Sequence, residues 1–221
     1  MTSTKFLYTA LGDSITKGYS APGKRGYVYM LATVLDQRIP CFRVYNAGQK
    51  GLTSGQLLLL LGFSPCLRFM VQRAGLLTLW IGGNDLLYTY LRNKMLCRNP
   101  AIYEPMLISY QKNINGILSL IRSRQSRPPF VCNLYNPFPH SALAWKLISA
   151  LNHSLQDACN RWHAPLIDIY SVFQGRQPEL IHGYRNGKLS DIRLVGSKPI
   201  HPNLQGHQVI TGALLNAIYG S

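Results

Sequence analysis

Acidic side chains are scarce in this sequence: eight Asp and Glu stand against 23 Lys and Arg, a formal net charge of +15 over 221 residues. Such a balance favours anionic partners through long-range electrostatics, whether nucleic acid, anionic lipid or another acidic surface. The cations are dispersed, as at Lys24-Arg25, Arg92 to Lys94 and Arg122 to Arg127. None of these groups is interleaved with aromatics and no DNA- or RNA-binding motif occurs, so the charge reads as a solvated basic surface rather than a nucleic-acid site. Peripheral contact with an anionic lipid surface stays compatible with it.

Long apolar runs are missing too. The longest, Leu57 to Phe63, stops at Ser64-Pro65, far short of the ~20 residues a membrane span needs. The opening MTSTKFLYTALGDS holds one lysine and a short apolar run that leads straight into a Gly-Asp turn. A signal peptide would need a separate hydrophobic segment and a small-residue cleavage site, so a cytoplasmic location is expected. The five cysteines (Cys41, Cys66, Cys97, Cys132, Cys159) form no C-x-x-C, which removes zinc-ribbon and thioredoxin-like readings. Buried free thiols in a reducing compartment are expected instead. No metal or cofactor motif is recognisable, and no repeat recurs at a period of about 20–50 residues.

What is present is a globular pattern. Apolar residues make up 47% of the chain, and its length suits one sizeable domain spanning 1–221. Short β-rich runs alternate with helical spacing. Strands are expected at 5–11, 42–48, 76–83, 129–135 and 164–170. Helices are expected at 27–35, across 54–73 with an interruption near Gly62 and Pro65, and at 101–123, 141–162 and 204–219. Strands separated by helices imply parallel pairing with right-handed crossovers. The expected architecture is therefore α/β: a three-layer α/β/α sandwich around a five-stranded parallel sheet.

Ligands of such sheets bind beyond the carboxyl ends of the strands. Small and polar residues gather there: Gly12-Asp13-Ser14, Asn46-Ala47-Gly48, Gly82-Gly83-Asn84-Asp85, Tyr135-Asn136 and Asp168. Ser14 at a strand-to-helix turn would expose its hydroxyl and aim backbone N–H groups at an attacked carbonyl oxygen, although Ser and Asp are also ordinary helix caps. A glycine at 48 lets the backbone approach a ligand, and Asn84 offers an amide donor. In Ile200-His201-Pro202-Asn203, Pro202 suits a first helical position and biases His201 towards an extended backbone.

Taken in order, ALGDSIT at 10–16, YNAG at 45–48, IGGND at 81–85 and IHPN at 200–203 resemble the SGNH subfamily of the GDSL esterases and lipases, over almost the whole chain. The resemblance implies a flavodoxin-like α/β/α fold and a serine esterase or lipase that needs no metal or cofactor. Its substrate would be a lipid ester, phospholipids included, a short acyl ester or an acetylated sugar. It also implies roles: Ser14 as nucleophile, His201 as base, and an oxyanion hole made by the Ser14 N–H, the Gly48 N–H and the Asn84 side-chain amide.

One position departs from that pattern. The family usually carries an aspartate three residues before the histidine, where it orients the imidazole and stabilises its protonated form; this chain has Lys198. A lysine there opposes imidazolium by like-charge repulsion. Three replacements stay open: Asp168 at the end of strand five, Asp191 ten residues before His201, or a Ser–His dyad in which a backbone carbonyl accepts the second imidazole N–H. Lys198 also supports a different reading, a catalytically impaired binding protein that keeps the fold.

Overall fold

The structure is a computed structural model that describes residues 6–97, 99–193, 196 and 198–220. Its centre is a parallel sheet of five strands, β1 (Phe6–Gly12), β2 (Phe42–Asn46), β3 (Ala74–Trp80), β4 (Phe130–Cys132) and β5 (Leu166–Ile167), in the spatial order β2-β1-β3-β4-β5. Lys5, the expected start of the first strand, lies outside the described residues. The two middle strands, FLYTALG and AGLLTLW, are buried over most of their length. That explains why they read as continuous apolar runs rather than alternating ones. Gly12 pairs with Trp80 at the carboxyl edge. A side chain at Gly12 would collide with the Trp80 carbonyl and the Thr16 hydroxyl, so the two strand ends can approach only because residue 12 is glycine.

Nine α-helices are described: α1 (Tyr27–Asp36), α2 (Ser54–Phe63), α3 (Pro65–Gln72), α4 (Gly83–Arg92), α5 (Tyr103–Arg122), α6 (Ala142–Trp162), α7 (Ile169–Phe173), α8 (Gln177–Leu180) and α9 (Leu204–Tyr219). α2, α5 and α6 pack side by side, and α1 packs against α9, which gives helical layers flanking the sheet. α5 buries Tyr110, Ile114, Ile117, Leu118 and Ile121 on one stripe, the helical period its sequence carries. A satellite cluster of Phe138, Ala144 and Ile192, with Leu87, Tyr90 and Ile200 against it, lies beside the main core.

The interruption expected in 54–73 near Gly62 and Pro65 is present, at Ser64, which caps α3 through the Leu67 N–H; the two helices meet at 89°. Several expectations are corrected. α4 is an element the sequence pattern does not announce: the run that reads as strand to residue 83 ends at Trp80, and Gly82, at φ +130°, turns the chain directly into a helix. The fifth strand is shorter than expected because Asp168 caps α7. Pro202 is not the first residue of α9. Asn203 caps that helix by accepting from the Gly206 N–H, while Pro202 forms an isolated antiparallel bridge with Ile181. Cys132 and Cys159 are buried as expected, but Cys41 and Cys66 are at the surface. Among the described residues no single helix is long and apolar enough to cross a membrane.

Candidate active site

Ser14 sits just past β1 in a run of tight turns, with helix-like bonds from the Lys17 N–H to the Asp13 carbonyl (3.0 Å) and from the Tyr19 N–H to the Ser14 carbonyl (2.9 Å). Its hydroxyl lies 2.9 Å from Nε2 of His201, 187 residues away in sequence. When Nε2 accepts that hydroxyl proton, the ring's own proton sits on Nδ1.

His201 is held through its backbone on both sides. The Tyr135 hydroxyl donates to the Ile200 carbonyl at 2.6 Å, and the His182 N–H donates to the His201 carbonyl at 2.9 Å. The Asn203 N–H then bonds the Leu180 carbonyl at 2.9 Å. Tyr135 is itself fixed, its ring stacked on Phe173 at 4.1 Å and meeting Trp80 edge-on at 6.1 Å. The Tyr19 ring packs on the imidazole at 4.7 Å, and Lys50 Nζ rests over that tyrosine at 4.6 Å.

These surroundings keep the imidazole neutral. Burial is the main cause, and the charges of His207, Lys50, His182 and Lys198 add repulsion, so the His201 pKa falls to about 4. Lys198 therefore acts in the direction its charge implies. Among the described residues no carboxylate hydrogen-bonds or ion-pairs with His201. Asp191, one of the two candidate acids, accepts instead from the Asn186 N–H (2.9 Å), the Asn186 amide (3.2 Å) and the Lys188 N–H (3.2 Å). Burial opposes its charge, but these donors outweigh it and hold the carboxyl below the usual range. Asp168 accepts from Asn133 (2.8 Å), the Ser171 N–H (3.1 Å) and the Ser171 hydroxyl (2.6 Å). Each carboxylate is occupied in organising its own loop, and neither contacts His201.

The three expected oxyanion donors are in different states. The Ser14 N–H has no hydrogen-bond partner among the described residues. The Gly48 N–H is bonded to the Asn46 side-chain oxygen at 2.9 Å. The Asn84 amide donates to the Leu52 carbonyl (3.0 Å) and to Asp13 Oδ2 (3.3 Å). Gly48 is sterically required: a Cβ there would strike the Lys17 backbone nitrogen and come within 2.7 Å of the Thr16 carbonyl carbon.

Asp13, which the sequence pattern gives no role towards the histidine, is the buried acid beside the nucleophile. Burial, reinforced by the nearby Asp85 charge and opposed by the Ile15 N–H, pushes its pKa up to about 7. Tyr19 is a site residue that sequence reasoning misses, and Tyr135 is one that it places at the strand ends without a role. Tyr135 has a signal that could reveal it, a strand-end aromatic with a polar tip; Tyr19 carries none. Among the described residues no three His, Cys, Asp or Glu side chains are grouped to hold a metal ion.

Beside Ser14 and His201 opens a cleft with walls from α4, α6, the segment after β4 and the loop before His201. Its lining is almost wholly apolar. It is the kind of concave site, with a few convergent polar groups, that holds small ligands.

Residues 10–209 match the GDSL-like lipase/acylhydrolase family. The chain is 30% identical over 226 aligned positions to the spore germination lipase LipC of Bacillus licheniformis, covering 96% of each. Among solved structures it is similar to the lipase Lip_vut3 from a goat rumen metagenome (27% identity, TM-score 0.79, covering 96% of this chain and 97% of that one). It shares its fold with Axe2, an acetylxylan esterase from Geobacillus stearothermophilus (17% identity, TM-score 0.73, covering 99% and 96%).

Proposed function

The chain belongs to the GDSL-like lipase/acylhydrolase family, and from that premise we propose that it cleaves carboxylic esters through an acyl-serine formed on Ser14. The observation that carries the proposal is the 2.9 Å contact between Ser14 Oγ and His201 Nε2. As Oγ attacks the ester carbonyl, its proton passes to Nε2. The oxyanion that develops accepts from the Ser14 N–H, and the Gly48 N–H and Asn84 amide turn to it from their present partners, Asn46 and Asp13. Collapse expels the alcohol, which takes the proton back from His201. A water then gives its proton to the same nitrogen and attacks the acyl-serine, releasing the acid and restoring Ser14.

The work an aspartate would do is divided. Orientation comes from the Tyr135 and His182 bonds to the backbone on either side of the imidazole. Charge stabilisation of imidazolium has no replacement, and the surrounding cations oppose it. Loss of the acid in a serine triad typically costs about 10⁴-fold in kcat, so activity well below that of an enzyme with a full triad is expected. The missing carboxylate is also what favours the second reading, a fold-retaining binding protein with little or no turnover. A short-chain nitrophenyl ester, tested with the unmodified protein, Ser14→Ala and His201→Ala, separates the two. Turnover lost in both variants supports the hydrolase; turnover no higher than theirs leaves the binding protein.

An anionic lipid surface is the partner we propose for the basic exterior. The net charge of +15 and the exposed Phe63 and Phe69 at the bent α2–α3 junction beside Arg68 support it. Salt-sensitive cosedimentation with phosphatidylglycerol vesicles, but not with phosphatidylcholine vesicles, is the expected result; indifference to headgroup charge would contradict it.

A further inference from the structure

We infer that the apolar cleft is an acyl-chain slot, so that the ester this protein cleaves carries a medium or long hydrocarbon acyl group rather than acetate. The inference rests on the hydrolase reading of Ser14 and adds the class of acyl group to it.

Three features of the cleft point this way. Its lining joins Ser14 and His201 to apolar residues of both hydrophobic clusters. Main-core residues such as Leu134 and Ile148 line it together with the satellite group of Phe138, Ala144 and Ile192. An apolar lining of that extent exceeds what the single methyl of an acetyl group would cover.

Charge is excluded from it. In a chain with 23 Lys and Arg, none of these residues lines the cleft, and its carboxyl and imidazole, Asp13 and His201, stand at the Ser14 end. The hydroxyls on its walls are already used: Tyr90 donates to the Leu189 carbonyl at 3.1 Å and Tyr135 to the Ile200 carbonyl at 2.6 Å. A hydroxylated or charged acyl group would lose its hydration there without replacement. A hydrocarbon chain would gain about fourfold in binding for each methylene taken out of water.

The lining also includes a small side chain on α6. Ala144, only 1% exposed, lines it there, and a larger side chain at that position would take up cleft space. Leu87 lines it from the half-buried face of α4.

The test measures kcat/KM for nitrophenyl acetate, butyrate, octanoate and dodecanoate below their aggregation limits, with a small ethoxy fluorophosphonate used in parallel to titrate reactive Ser14. The expected result is an octanoate-to-acetate ratio of at least tenfold, collapsing by tenfold or more in Ala144→Phe. Leu87→Phe, at a wall with room to adjust, should lower the same ratio if Ala144→Phe does not fold. A ratio near or below one in a protein whose Ser14 is labelled overturns the slot and leaves the hydrolase reading standing. A ratio unmoved by either folded variant also overturns it. Unlabelled Ser14 with no turnover of any ester overturns both.

Discussion

The Tyr135 hydroxyl donates to the carbonyl of Ile200 at 2.6 Å, one residue before the histidine that contacts Ser14. The tyrosine is 5% exposed and clamped between Phe173 and Trp80, so the bond anchors a surface loop to the core. Where the usual aspartate would grip the imidazole itself, this protein grips the backbone that carries it.

Tyr135→Phe keeps the ring and removes the anchor. We expect folding stability to fall by about 1 kcal/mol, the ordinary value of a hydrogen bond. We expect kcat to fall about tenfold with KM little changed, because the base loses its place and the cleft does not. A drop in stability with unaltered kcat would show that the bond serves the fold alone.

Asp191 tests the alternative acid. As an organiser of the Asn186–Lys188 turn, its replacement by Asn should alter kcat less than about tenfold. The effect should fall on chain-length preference, since Leu189 and Ile192 of the same loop line the cleft. A loss near 10⁴-fold on all esters, the size expected when a triad acid is removed, would restore Asp191 as the partner.

The pH dependence follows from the sign of the His201 shift. A base must be unprotonated, and a pKa lowered to about 4 keeps it so down to mildly acid solution. kcat/KM should therefore be flat from neutral pH downward and fall only as pH drops through about 4, instead of near the ~6.5 of an unperturbed histidine. Lys50→Met removes one of the repelling charges and should move that limb upward. A limb near 6.5 that ignores Lys50 would contradict the proposed electrostatics.

Two glycines should behave in opposite ways. Gly12→Ala forces a methyl group into the Trp80 carbonyl and Thr16, and should lower stability by about 3 kcal/mol. Gly62 lies inside α2, and a methyl group placed on its Cα would meet nothing within 4 Å. It should accept alanine with a gain of up to about 1 kcal/mol. Urea midpoints of the two variants check both.

The sheet is legible because β1 and β3 are largely apolar runs that stop at glycine or a polar residue, as at Leu11-Gly12 and Trp80 to Gly83. α4 is not, because the apolar run of β3 leads with no polar break into Gly82-Gly83, and only the positive φ of Gly82 separates strand from helix. Asp168 is legible as a strand end but not as the cap of α7, since a short polar side chain serves either purpose. Ser14, Gly48, Asn84 and His201 can be assembled from sequence because four local blocks carry them. Tyr135 and Tyr19 cannot, because what makes them site residues is a hydrogen bond across 65 positions and a ring contact between loops far apart in sequence.

The central claim is that Ser14 is a nucleophile activated by His201 without a carboxylate. Its most direct test is mass spectrometry of the protein after reaction with a fluorophosphonate. The account predicts one phosphonyl adduct on the peptide containing Ser14, formed slowly at pH 7, abolished by Ser14→Ala and strongly slowed by His201→Ala. No adduct, or one that forms equally well without His201, would contradict it.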